Sequence, residues 1–177
     1  AVAFENSFNM PIFITHTMNV FGERQHPEKF IPKCIISARD GLTVDIHSNS
    51  KKTKAGSRHY IHASDVADGC LFLIKNKNKI LKNANKDFGG AKCPKFNLVG
   101  PVELDNLELA KLISKSVGKK IKYRMVDFHS SRPGHDLRYA LDGNLMKKLG
   151  WKPKISIEKR IDQVVNWTLK NKRWLKI

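Results

Sequence analysis

The stretch SRPGHDLRY (Ser131–Tyr139) sets Arg132, His135 and Arg138 around a Pro133-Gly134 turn. Proline fixes φ and glycine admits positive φ, so the pair makes a stiff corner from which Arg132 and His135 project. A guanidinium offers a planar fork of donors suited to phosphate oxygens. Two readings stay open here: a corner that grips an anion, or a surface turn in which Asp136 pairs with Arg138. Asn19 follows a short apolar run, and its amide can donate to an anion. The loop after it, punctuated by Gly22 and Pro27, leads toward a helix start, which itself favours anions. Lys29, Arg58 and Asn97 complete a set of anion-friendly groups scattered along the chain, and spacing alone does not bring them together. His59 and His62 are three residues apart, so on a strand they point to opposite faces, and joint metal ligation is not expected.

Composition narrows the partners. The 177 residues carry 33 Lys+Arg against 16 Asp+Glu, a formal net charge of +17. Such a balance selects anionic partners: nucleic acid, a membrane surface or a phosphorylated small molecule. Much of the excess lies in Lys51–Arg58, Lys75–Lys86 and the C-terminal KNKRWLK. The middle stretch is nearly all Lys and Asn and reads as a solvated loop or a frayed helix end. A nucleic-acid groove would prefer arginine and interleaved aromatics, so nucleic acid is expected to bind only non-specifically. A basic nucleic-acid module remains the competing reading from another class. No apolar run approaches the ~18 residues of a membrane span, and the first residues lack the apolar core of a signal peptide. Cys34, Cys70 and Cys93 are far apart and odd in number, which argues against a disulfide framework or zinc site and fits a reducing cytoplasm.

The elements that must position these groups alternate between helix and strand, so the class is α/β. Phe4 and Phe8 at i, i+4 mark the last turns of a helix. Ile12, Phe13 and Ile14 suit a strand buried on both faces of a parallel sheet. Residues 27–41 read as a helix leaving at Gly41. LTVDIHS and SRHYIHAS read as a hairpin across a basic turn. A helix with Ser64 as N-cap follows, carrying Val66, Cys70, Leu73 and Ile74 on one face. KFNLVG and KIKYRMV are strands flanking a helix that ends at Gly118. A short helix ends at Gly150, and a last one begins at Ser156 with Ile157, Ile161, Val164, Val165 and Leu169 inward.

In order along the chain, NVFGERQHPEKFIP, SRHYIHASDVADG, FNLVG, SRPGHDLRYALD and LGWKP resemble the C-terminal part of nucleotide-sugar 4,6-dehydratases, of the dTDP-glucose 4,6-dehydratase type, in the extended short-chain dehydrogenase/reductase family. RPGHD followed by RYALD is the most specific element; UDP-sugar dehydratases and epimerases of the same family stand next to it. The resemblance implies a C-terminal substrate-binding lobe of a Rossmann-type enzyme (residues 23–177), with residues 1–22 a remnant of the NAD-binding lobe. It implies that Asn19 contacts the substrate diphosphate, that Lys29 and Phe30 touch the nucleotide, and that Arg58 meets the diphosphate or ribose. It further implies that Asn97 contacts substrate and that Arg132 and His135 close over the diphosphate. Met18 replaces a small polar residue near the nicotinamide, and His47 stands where an aromatic commonly stacks on the base. The family's Gly-rich NAD motif does not occur in these residues, and its Tyr-x-x-x-Lys pair lies on the helix whose tail resembles Ala1–Phe8. No catalytic residue is therefore expected in this chain, nor tight NAD binding, nor turnover by the chain alone. A dTDP- or UDP-glucose is the expected partner. The family's dimer, formed through helices of the other lobe, is not expected here, and exposed Phe4, Phe8, Ile12 and Ile14 are expected to drive self-association or disorder at the N-terminus.

Overall fold

The computed structural model describes residues 1–82, 93–127 and 136–176. Strand β1 (Ile14–Thr17) pairs in parallel with β5 (Lys95–Leu98). The Met18 N–H then reaches the Leu98 carbonyl at 3.4 Å, and the chain leaves that pair. It continues as β2 (Asn19–Phe21) in a different sheet, parallel to β4 (Ser57–His62). Met18, at the joint, is only 2 % exposed.

Strand β4 is the hub. Its first half pairs antiparallel with β6 (Glu103–Asp105) and, at Ser57 and Arg58, in parallel with β8 (Arg138–Tyr139). Strands β3 (Thr43–Ser48) and β7 (Lys122–Asp127) form a parallel pair of their own. The expected hairpin between β3 and β4 is therefore a correction. Only the turn survives: Asn49 closes it through the Lys54 carbonyl, Gly56 N–H bonds the His47 carbonyl, and a single bridge joins Ser48 to Ala55. Beyond that bridge each strand finds a better long-range partner.

Helices α2 (Phe30–Asp40), α5 (Asn106–Val117) and α7 (Ile157–Lys170) enclose the main core, in which Cys34, Ile35, Ile46, Leu109, Ile113, Ile161 and Val165 are fully buried. Helix α5 starts with a capping box: Asp105 accepts from the Leu107 and Glu108 N–H groups, and Glu108 accepts from Asp105 N–H. It ends at Gly118 in the left-handed conformation. A second core joins α3 (Ala63–Lys75), α4 (Lys77–Lys82), β5 and α6 (Asn144–Lys148) through Leu73, Ile80, Phe96, Leu98, Met146 and Trp151. Two glycines permit close approaches here. A Cβ on Gly69 would fall 2.8 Å from Leu98 and 2.9 Å from Trp151, and one on Gly100 would overlap the Tyr60 carbonyl.

Four further expectations are corrected. The N-cap of α3 is His62, whose ring accepts from Ser64 N–H; Ser64 itself lies inside the helix. On α3 Leu73 is buried and Val66 and Cys70 pack against the second core as expected, but Ile74 faces out and Asp65 and Gly69 are buried in its stead. The Lys-Asn run is ordered helix through Lys82, because Ile80 is buried in the second core. Strand β1 is parallel as expected but not covered on both faces: its Thr15, His16 and Thr17 are exposed and Ile14 is half-buried. Phe4 and Phe8 of α1 (Val2–Phe8) are exposed and tilt against each other with centroids 5.7 Å apart, whereas Ile12 is half-buried.

Candidate functional site

Of the anion-friendly residues, Asn19 and Arg58 share one sheet. Strand register sets Asn19 on β2 opposite Tyr60, two residues along β4 from Arg58. Asn19 is exposed, Arg58 half-buried. The Arg58 guanidinium closes onto main chain: Nη1 donates to the Ser57 carbonyl at 2.6 Å and the Leu137 carbonyl at 3.0 Å, and Nη2 donates to the Asp136 carbonyl at 2.8 Å. A guanidinium has five N–H donors. Three are used among the described residues. Asp136 and Leu137 directly follow the Arg132–His135 corner in sequence. Arg132 and His135 themselves lie outside the described residues.

A second clasp holds the same exit. Arg138 donates from Nε and Nη2 to the two Glu103 oxygens, both at 2.8 Å, and Ser57 Oγ donates to Glu103 at 2.7 Å. The Arg138 bonds, then the Ser57 bond, hold the Glu103 carboxyl down at about 2. Arg138 thus pairs with Glu103, not with Asp136 as the surface-turn reading had it. Sequence gave no hint of Glu103, because it lies 35 residues from Arg138 and no local spacing links them.

Asn97, on β5, is drawn elsewhere. Its Oδ1 lies 3.3 Å from His16 Nδ1 across the β1–β5 pair, and its Nδ2 donates to the Asp142 carbonyl at 2.8 Å. It lines a cleft of about 530 Å³ with His59, Gly143, Lys147 and Trp151. Lys29 is the exposed residue preceding α2, and Phe30, its first residue, packs against the main core. The described structure therefore joins Asn19 and Arg58 in one sheet and sets Asn97 on another.

Behind β2 lies a polar network that spacing did not reveal. Arg160 of α7 holds Asp65 of α3 by two bonds, at 2.6 and 3.1 Å, with side chains 11 % and 8 % exposed. Arg160 also donates to Gln163, and Gln163 donates to Glu23 in the loop after β2. Glu23 approaches His62 Nε2 at 3.3 Å without the alignment of a full hydrogen bond. Since His62 Nδ1 accepts from Ser64 N–H, the neutral ring carries its proton on Nε2. Burial, reinforced by the positive Arg160, pushes the His62 pKa below its ordinary value. Among the described residues no group of three or more His, Cys, Asp or Glu side chains could hold a metal ion.

The mixed α/β architecture with parallel pairs is that of Rossmann-type enzymes of the extended short-chain dehydrogenase/reductase class. Within that class the chain belongs to the GDP-mannose 4,6 dehydratase family, whose model matches residues 1–164. It is 34 % identical over 167 residues to the low-salt glycan biosynthesis protein Agl12 of Haloferax volcanii, covering 94 % of this chain and 48 % of the relative. It is 31 % identical to the dTDP-glucose 4,6-dehydratase of Haemophilus influenzae, covering 96 % of this chain and 48 % of that protein. The crystal structure of DesIV, a dTDP-glucose 4,6-dehydratase from Streptomyces venezuelae with NAD and TYD bound, superposes with a TM-score of 0.76 at 28 % identity, covering 99 % of this chain and 49 % of that one. The chain spans about half the length of the curated relatives it matches.

Proposed function

We propose that this chain is the nucleotide-sugar-binding half of an NAD-dependent 4,6-dehydratase, of the type that converts dTDP-glucose to dTDP-4-keto-6-deoxyglucose. The carrying observation is Arg58: it bonds the Asp136 and Leu137 carbonyls, which directly follow the RPGH segment in sequence, from the strand that pairs with the strand of Asn19. In this reading Asn19, Arg58, Arg132 and His135 grip the diphosphate, Lys29 and Phe30 meet the nucleotide, and Asn97 contacts the sugar side. Residues 1–22 are assigned to the nucleotide-binding lobe, whose sheet β5 rejoins through β1, and the remainder to the substrate lobe.

NAD, when bound to the whole enzyme, takes hydride from the sugar and returns it. The described residues do not fit that cofactor's pyrophosphate, because no Gly-rich strand–turn–helix occurs among them; Met18, assigned to the nicotinamide side, is buried. The chain's own part is binding and orientation. The purified chain with NAD and a nucleotide-glucose is accordingly expected to form no 4-keto product. Three free cysteines support a cytoplasmic setting, and the exposed Phe4 and Phe8 support weak self-association.

Calorimetric titration with dTDP and with UDP tests the reading. Each charge-assisted contact is worth roughly 1.5–3 kcal/mol, so Arg132→Ala is expected to weaken binding about 10- to 150-fold. Unchanged affinity in Arg132→Ala would remove the diphosphate assignment. A nucleic-acid module would instead bind any DNA with steep salt dependence and ignore free nucleotide.

A further inference from the structure

Helices α3 and α4 form one nearly continuous ridge. Asn76 N–H bonds the Phe72 carbonyl, and Ile80 N–H bonds the Asn76 carbonyl, so the two helices meet end to end at Asn76. On the outward side stand Leu71, 53 % exposed, Ile74, 61 % exposed, and Leu81. By the ordinary α-helical repeat Leu71 and Ile74 lie about 60° apart on α3, with exposed Lys75 beside Leu71. On α4 Leu81 is accompanied by exposed Lys77 and Lys82. The sequence from Gly69 to Lys82 contains no acidic residue. Beside Leu71 a shallow depression of about 390 Å³ is bordered by Lys75, Lys152 and Lys154. Asp68 at its rim lies 3.9 Å from Lys154 and accepts from Trp151 Nε1, which leaves the depression cationic.

We propose that this ridge docks on an anionic phospholipid surface. The pattern is that of a helix lying in an interface: aliphatic side chains along the crest and lysines at its margins, which bury their stems while their ammonium groups meet lipid phosphates. A second copy of the chain fits poorly, because it would oppose the same lysines. A nucleic-acid groove fits poorly too, since the crest is aliphatic and carries neither arginine nor an aromatic side chain. A convex crest also offers no groove for a partner helix. The proposal does not rest on the nucleotide-sugar reading: none of the residues assigned to the nucleotide sugar lies on the ridge, although Trp151 and Lys152 border both the Asn97 cleft and the depression.

Co-sedimentation of the full chain with vesicles tests it. Vesicles of phosphatidylcholine and phosphatidylserine in equal parts are expected to retain the chain, pure phosphatidylcholine vesicles are not, and rising salt is expected to release it. Leu71→Glu with Ile74→Glu is expected to lower vesicle affinity at least ~10-fold, because two inserted side chains become charged. Both positions are exposed, and circular dichroism checks that the helices persist. Should that variant misfold, Lys75→Glu with Lys82→Glu is expected to give the same loss. Lys51→Glu with Lys52→Glu, in the turn after β3, carries the same charge change and is expected to keep binding within ~3-fold. The proposal is overturned by failure to bind anionic vesicles, by equal loss in the Lys51/Lys52 variant, or by a preference for duplex DNA or poly-glutamate that depends on Leu71 and Ile74 while vesicles are ignored.

Discussion

The first seventeen residues and the β4 hub obey the same packing rules with opposite outcomes. Helix α1 has no side-chain N-cap, shows Phe4 and Phe8 to solvent at 58 % and 69 %, and holds the buried Glu5 Oε2 without a hydrogen-bond partner. Among the described residues strand β1 is paired along one edge only. Around β4, by contrast, strands pair on both edges, Arg58 and Glu103 fasten β8, and Arg160 clamps Asp65. The difference teaches that the β4 hub is held by paired strands and ion pairs of its own, whereas the N-terminal segment contributes little to them.

The sharpest way to break this contrast is at the buried ion pair. Arg160→Ala strands the Asp65 carboxylate, and breaking such a pair costs about 3–5 kcal/mol; urea unfolding should show a midpoint lowered accordingly. If Arg160→Ala unfolds like wild type, the hub is not where stability resides. Ile161→Ala, fully buried on the same helix, is expected to cost about 2–5 kcal/mol in the same assay.

Acid sharpens the picture. His62 is held neutral, with its folded pKa below the unfolded value near 6.5. Its contribution is therefore complete above about pH 6.5 and is lost as the pH falls through the lower folded value. Glu103 behaves alike in a lower window: full above an unfolded value near 4.5, lost as the pH falls through about 2. Unfolding midpoints measured from pH 7.5 down to pH 3, in wild type and Glu103→Gln, should separate the windows, the variant losing only the lower slope. The smallest effect belongs to the N-terminus: Phe4→Ser with Phe8→Ser is expected to shift stability by no more than ~0.5 kcal/mol. Sedimentation velocity should show that variant more monomeric than wild type, and unchanged association would refute the role given to those rings.

Local signals served where local physics decides. The stop at Gly118, the Ser156 cap and the inward face Ile157, Ile161, Val164 and Val165 were all legible, because caps and helical periodicity are set within a few residues. The hairpin between β3 and β4 failed because pairing partners are chosen over the whole chain: β3 chose β7 and β4 chose β2, β6 and β8. Ser64 lost the cap of α3 because the His62 ring was already placed to accept its N–H. The two clasps on β8 and the Asp65–Arg160 pair join residues 35 to 95 positions apart, and no spacing rule reaches so far.

The sequence by itself determined the α/β class, the surplus of positive charge and the ordered motifs of the family, since composition, periodicity and motif order are one-dimensional properties. Only the tertiary structure decided which of the anion-friendly groups meet. Arg58 and Asn19 share a sheet because β2 and β4 pair in parallel, and Arg58 bonds the carbonyls leading into β8 because β8 adds to the same strand. Convergence of charges is a property of strand register, and register is fixed by burial and hydrogen bonding across the whole chain.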